Sequence, residues 1–131
     1  VYPTGAKFKG IAMIVNIVNF DNEPERNRIG AQRDTNLLTQ VLQLRNFDVY
    51  HSLDPTFLEF QDAIKECQSM SYEDADSFFL AVMSHGYAEK IMTKDSQYLE
   101  VWRDILTPFN NTNCPNLLGK PKIFVFNHDR Y

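Results

Sequence analysis

Short apolar runs alternate along this chain with segments in which apolar residues recur at helical spacing. Four runs predict strands, at residues 11–20, 47–52, 78–84 and 123–126. Continuous apolar runs of this length are typical of strands that are buried on both faces of a parallel sheet. The chain is therefore expected to have an α/β fold with a mainly parallel central sheet.

The segments between the predicted strands carry helical signals. Residues 30–45 predict a first helix, and its expected buried stripe comprises Leu37, Leu38, Val41 and Leu42. Asp54 and Pro55 predict the N-cap and the first position of a second helix. The expected buried stripe of this second helix comprises Phe57, Phe60, Ile64 and Cys67.

The remainder of the pattern predicts a hairpin and a third helix. The hairpin is expected around residues 89–98, and Leu99, Trp102 and Leu106 indicate a helix that ends before Pro108. Strands and helices then alternate along the chain. This order predicts right-handed crossovers, with helices on both faces of the sheet.

Two predicted strands end in polar residues that could carry chemistry. One strand runs into Ser84-His85-Gly86, and the last strand runs into Asn127-His128-Asp129-Arg130. Ligands of such sheets bind beyond the carboxyl ends of the strands, so both segments are expected at one rim. A histidine beside a glycine N–H, facing a nucleophile on a second strand end, is the layout of a covalent acyl-transfer site. The second strand end, however, offers no Ser, Cys or Thr.

Composition narrows the class of protein. A chain of 131 residues with 44% apolar residues can bury the core of one α/β domain, so residues 1–131 are expected to form a single domain. A net charge of −4 argues against a nucleic-acid or anionic-membrane partner. No apolar stretch approaches the roughly 20 residues of a membrane span. Two cysteines make no disulfide framework, which favours a reduced, cytoplasmic location.

Three segments together resemble the large subunit of a caspase. They are residues 28–34 (RIGAQRD), the strand that ends in Ser84-His85-Gly86, and residues 114–124 (CPNLLGKPKIF). They occur in the family's order over nearly the whole chain. The resemblance implies a caspase-like three-layer fold with helices on both faces of the sheet. It also implies a small subunit, which is expected to follow or associate and is not in this chain.

The sequence departs from the family at the nucleophile. Aligned on Lys120-Pro121-Lys122, the position of the caspase cysteine holds Asp129, and the position of the glycine two residues later holds Tyr131. A thiol has a pKa near 8.5 and gives a usable thiolate beside a base, whereas a carboxylate is a poor nucleophile toward an amide. The chain is therefore predicted not to be an enzyme but a catalytically inactive homologue, a pseudocaspase. Cys114 lies in the loop before the strand and is interpreted as a loop thiol.

The resemblance assigns further site positions one at a time. His85 and Gly86 match the catalytic histidine and its glycine neighbour, and Arg28 matches the arginine that grips the substrate carboxylate, a role that suits a guanidinium. Asn127 replaces the pocket glutamine and is one methylene shorter. Three alternatives remain open from the residues alone: Arg28 as a solvated surface charge, His85 as a structural histidine bonded to backbone, and Gly86 as a turn residue.

A metal site at the same rim is the other chemistry to weigh. His85, His128 and Asp129 are all types of residue that bind zinc. Consecutive residues of a strand point to opposite faces, however, so joint ligation by residues 128 and 129 is disfavoured. No metal and no other cofactor is therefore predicted.

The resemblance leads to a regulatory function. The chain is expected to regulate an active caspase by heterodimerisation, in apoptosis. Its expected partners are an active caspase, a caspase small subunit, or both, in a heterodimer or a homodimer. Two alternatives stay open: a residual or altered hydrolase that uses His85 and Asp129, and a purely structural interaction domain.

Overall fold

A computed structural model of the protein describes residues 9–129, with the backbone alone for His128 and Asp129. Its strands are β1 Gly10–Asn16, β2 Phe47–Leu53, β3 Phe78–Tyr87, β4 Lys90–Met92, β5 Tyr98–Glu100 and β6 Lys122–Asp129. Strands β2, β1, β3 and β6 lie side by side in that order and are all parallel. Strands β4 and β5 form an antiparallel hairpin that pairs with the end of β3. The predicted parallel sheet and the hairpin are confirmed.

Two regular helices cover the sheet, α1 Ala31–Leu44 and α2 Phe57–Ser69. Short 3-10 turns occur at Pro24–Arg26, Thr107–Phe109 and Pro115–Leu117, and a single wide helical turn occurs at Val101–Leu106. In that wide turn Ile105 is buried, whereas Trp102, which the sequence pattern favoured, is mostly exposed. The described helices include none that is long and apolar enough to cross a membrane.

The two faces of the sheet have separate cores. In β1, Met13 and Val15 pack into a large core with residues of α2, while Ala12 and Ile14 pack into a smaller core with Leu42 of α1. Successive residues of a strand point to opposite faces, so one apolar strand supplies both cores. The prediction of helices on both faces of the sheet is confirmed.

Strand β1 is shorter than its apolar run predicts. It ends at Asn16: Ile17 N still donates to Met83 O of β3 at 2.9 Å, but the two N–H groups that follow turn to a side chain. Asp54 Oδ1 accepts hydrogen bonds from Val18 N at 2.7 Å and from Asn19 N at 3.1 Å. Asp54 therefore ties the chain beyond β1 to the end of β2 and is not the N-cap of α2. That cap is Thr56, which forms a reciprocal capping box with Glu59.

The predicted buried stripe of α1 is wrong in part. Leu42 is buried and Leu38 is partly buried, but Leu37 and Val41 are each more than half exposed. Ala31 and Thr35 are buried in their place. Among the described residues α1 packs over β1 and β2, so its flank on the side of β3 and β6 is left exposed.

Candidate functional site at the carboxyl rim of the sheet

The backbone register of β3 and β6 brings the two predicted strand ends together. Met83 lies opposite Asn127, Ser84 opposite His128, and His85 opposite Asp129. Continuous pairing up to residue 129 therefore puts the Cα of His85 beside the Cα of Asp129. The expectation that both segments lie at one rim is confirmed at the level of the backbone.

His85 is held by the loop that follows β1. Its Nε2 hydrogen-bonds the backbone carbonyl oxygen of Arg26, and the Phe20 ring is tilted against the imidazole with 5.2 Å between ring centroids. A carbonyl oxygen can only accept, so Nε2 carries the proton and Nδ1 is the acceptor nitrogen of the neutral ring. This bond thus selects one tautomer of the neutral imidazole, and the ring is only partly exposed.

Gly86 lies inside β3, opposite Ile91 of β4, and is buried. The alternative that this glycine forms a turn is therefore wrong. Its neighbour Ser84 is fully buried, and Ser84 Oγ donates to the carbonyl oxygen of Met92 at 2.7 Å. The hairpin thus anchors the residues on either side of His85.

Arg28 is buried at the end of β1, with only 9% of its surface exposed. Its backbone N donates to Val18 O at 2.7 Å, and its Nη1 donates to Asn16 Oδ1 and to Ile17 O, each at 2.9 Å. The alternative that Arg28 is a solvated surface charge is therefore wrong. Asn127, the other predicted pocket residue, has an exposed side chain, so the two lie in different environments.

Two residues of this rim were missed by the sequence analysis. Asn16 is the last residue of β1 and is buried, and its Nδ2 donates to the buried Thr35 Oγ1 of α1 at 2.7 Å. The signal for Asn16 was available, since it is a polar residue directly after the apolar run Ile11–Val15, at the same rim as His85. Thr35 carries no such signal, because a threonine within a helical pattern is ordinarily unremarkable.

The loop thiol Cys114 lies elsewhere in the fold, at the end of α2. Cys114 is a buried loop residue whose Sγ lies 3.9 Å from the carbonyl oxygen of Gln68 at the end of α2, and burial raises the pKa of its thiol. Within the part of the chain that the structure describes, no three His, Cys, Asp or Glu residues cluster as metal ligands. The trio of His85, His128 and Asp129 lies partly outside that part, because two of its side chains are not described. The absence of a metal stays a prediction.

Comparisons with known proteins fit this geometry. The family model for the peptidase C14 caspase domain matches residues 9–129. The chain belongs to the caspase family. Caspase drICE of Drosophila melanogaster is 32% identical, with 90% of this chain and 34% of that protein covered. Caspase-1 of Spodoptera frugiperda is 31% identical, with coverages of 94% and 40%.

Solved caspase structures share the fold. The structure of the Spodoptera frugiperda pro-caspase-1 superposes with a TM-score of 0.85 at 29% identity, covering 95% of this chain and 52% of that one. The Drosophila initiator caspase Dronc gives a TM-score of 0.85 at 27% identity, with coverages of 92% and 49%. The caspase-like fold is thus confirmed. The chain spans about half the length of these solved caspases and between a third and two fifths of the two curated relatives.

One prediction requires correction. The chain was expected not to be an enzyme, but its family model is that of a peptidase domain and its relatives are caspases by name. The expectation rested on Asp129 at the nucleophile position, whereas His85, Gly86 and Arg28 match the residues that the resemblance assigns to them. An altered nucleophile position does not remove the chain from a family of cysteine proteases, so the expectation is not supported.

Proposed function

We propose that this chain is the large-subunit part of a caspase protomer, which binds a caspase small subunit and regulates an active caspase by heterodimerisation, in apoptosis. In this proposal Arg28 and Asn127 belong to a pocket that binds an aspartate side chain. The observation that carries the proposal is an uncovered apolar surface beside β6, in a chain that spans only half of the solved caspases it matches.

This surface lies on the α1 side of the sheet. Ile123 and Val125 of β6 are paired in register with Phe79 and Ala81 of β3, which pack into the core under α1. Paired residues of neighbouring strands share a face, so Ile123 and Val125 point to that side too. Both are nevertheless exposed.

Helix α1 extends the same surface. Leu37, Val41 and Leu44 follow one another at helical spacing, all three are exposed, and Leu44 is 82% exposed. Leu44 and Ile123 line one shared groove of about 570 Å³. We call these five residues the α1-face patch: Leu37, Val41, Leu44, Ile123 and Val125. The shared groove connects its helix and strand parts, and exposed apolar patches are typical of protein interfaces.

Strand β6, beside the patch, also favours a caspase small subunit as the partner. Within the described residues, β6 pairs only with β3, so its other edge carries unpaired backbone groups. Such an edge invites an additional strand. A caspase small subunit that adds a strand to β6 and packs a helix on the α1-face patch would cover both features. If this chain binds the ordered state of an active caspase more tightly than the disordered state, binding stabilises the ordered state. A difference in binding free energy of about 1.4 kcal/mol raises the ratio of ordered to disordered partner tenfold.

The test is to titrate the chain, with a caspase small subunit, into a catalytic caspase from the same source. We expect a complex at micromolar concentration and a change in the turnover of an aspartate-containing peptide. Leu44→Asp should weaken the complex at least tenfold because it puts a charge into the patch. Leu58→Asp is the matched control, since Leu58 is 69% exposed on α2, on the other face of the sheet.

The outcomes separate the alternatives. Unchanged turnover and no complex with any caspase of that source would contradict the regulatory function. A complex that forms without any change in turnover would leave a structural interaction domain. Equal loss of binding in Leu44→Asp and Leu58→Asp would contradict the assignment of the α1-face patch.

A second candidate function is hydrolysis by this chain, and the register favours it. His85 has its proton on Nε2, which leaves Nδ1 as the base, and the backbone of Asp129 lies opposite. The titration without added caspase tests this candidate. Turnover that disappears in both His85→Ala and Asp129→Asn, but persists in His51→Ala, would establish it. His51 is the control because it is an exposed histidine of β2, which lies at the other edge of the parallel strands from β6.

A further inference from the structure

We infer that Asn16 and Thr35 are positioning residues that orient the Arg28 guanidinium and so set the preference of the pocket for a carboxylate. The inference rests on the proposed role of Arg28 in binding an aspartate side chain. It assigns a specificity function to two buried residues that lie behind the arginine and outside the predicted pocket.

Donor and acceptor can be assigned for each hydrogen bond between Arg28, Asn16 and Thr35. A guanidinium can only donate, so the Asn16 amide must turn Oδ1 toward Arg28. Its Nδ2 then faces Thr35, whose Oγ1 accepts this bond and donates its own proton to Ala31 O at 3.3 Å. The result is a directed relay from Arg28 through Asn16 and Thr35 to the backbone of α1.

The relay joins two rigid elements. Asn16 is the last residue of β1 and is 3% exposed, and Thr35 lies in the first half of α1 and is 2% exposed. Nη1 donates its second hydrogen bond to Ile17 O, directly after the same strand. Two bonds from a single nitrogen fix the plane of the guanidinium, and a fixed plane is what bidentate recognition of a carboxylate needs.

A neutral amide at position 16 also matters for charge. Asparagine accepts from Arg28 without adding a negative charge beside the guanidinium. Aspartate has the same shape, but Asn16→Asp would place a buried carboxylate 2.9 Å from Nη1. Such a buried internal partner would compete with the ligand for the guanidinium.

The experiment measures the affinity of the complex of this chain with its caspase small subunit for two fluorescent peptides that differ only in one aspartate or asparagine. The readout is the ratio of the two affinities, which a loss of folded protein does not change. We expect Asn16→Asp to lower the aspartate preference at least tenfold and Thr35→Val to lower it several-fold. Thr35→Ser keeps the hydroxyl and should retain the preference.

Two controls make the result decisive. Asn36→Asp adds the same charge at an exposed position of α1 and should leave the preference unchanged. Arg28→Ala should abolish the preference. If Arg28→Ala abolishes it while Asn16→Asp and Thr35→Val do not, the positioning role is overturned and the proposed pocket stands. If Arg28→Ala has no effect, or the parent complex shows no preference, the pocket and the positioning role both fail. Should Asn16→Asp not fold, Thr35→Val against Thr35→Ser decides.

Discussion

At the scale of single residues, burial controls the chemistry of the thiol at the end of α2. Cys67 is fully buried, and burial, with a smaller effect from the charge of Glu66, raises the pKa of its thiol to about 12. Burial raises the pKa of the neighbouring Tyr72 in the same direction. Both groups thus stay protonated in the folded chain over a pH range in which an exposed thiol has already ionised.

We expect this pKa to make stability fall at alkaline pH. The unfolded thiol ionises near 9.0, whereas the folded thiol ionises near 12, so the contribution is fully present below pH 9.0 and is lost as pH rises toward 12. Between these values each pH unit should cost about 1.4 kcal/mol of unfolding free energy for this group. Urea unfolding of the parent and of Cys67→Ala at pH 8, 10 and 11 measures the slopes. Equal slopes in the two proteins would contradict the assignment.

The candidate site could be predicted from the sequence only where chemistry coincides with a strand end. His85 and Gly86 follow an apolar run, so both their position at the carboxyl end of a strand and the family motif predicted them. The burial of Arg28 could not be predicted in the same way. Its loop is acidic and polar, and only the fold reveals that the strand end at Asn16 provides acceptors for the guanidinium. The contacts of a buried polar side chain depend on which helices and strands pack together, and the local sequence pattern does not predict that packing.

At the scale of elements, α2 follows its sequence signals more closely than α1. Phe60, Ile64 and Cys67 are buried as predicted, and Thr56 with Glu59 begins the helix. The stripe of α1 was misjudged because periodicity identifies an apolar face but not what lies opposite that face. Leu37 and Val41 are apolar yet each is more than half exposed, so no described residue covers them fully. An apolar position thus predicts a contact, which a partner chain can also provide.

The packing of α2 gives a prediction with its own control. Phe60 is fully buried in the larger core, whereas Leu58, two residues earlier, is largely exposed. We expect Phe60→Ala to lower the unfolding free energy by about 3–5 kcal/mol, because it removes buried surface and leaves a cavity. Leu58→Ala should change it by less than about 0.5 kcal/mol. Chemical denaturation of the two variants measures the difference, and similar losses would mean that α2 is packed the other way round.

At the scale of the whole molecule, the two faces of the sheet differ at β6: one face is packed against a core and the other is exposed. On the α2 side, Phe124 and Phe126 of β6 pack against the larger core. On the α1 side, Ile123 and Val125 of the same strand are exposed. Strand β6 therefore has one packed face and one solvent-exposed face. Among the described residues, its outer edge also lacks a neighbouring strand.

This asymmetry predicts that the chain by itself associates with its own copies. An exposed apolar patch beside an unpaired strand edge favours association, and a net charge of −4 opposes it only weakly at physiological salt. We expect the weight-average mass in sedimentation equilibrium to rise with concentration in the micromolar range. Val125→Lys should shift this rise to at least tenfold higher concentration, because it charges both the patch and the edge strand, whereas Leu58→Lys should not. A parent chain that stays monomeric, or a Leu58→Lys variant that dissociates as far as Val125→Lys, would show that this surface does not drive association.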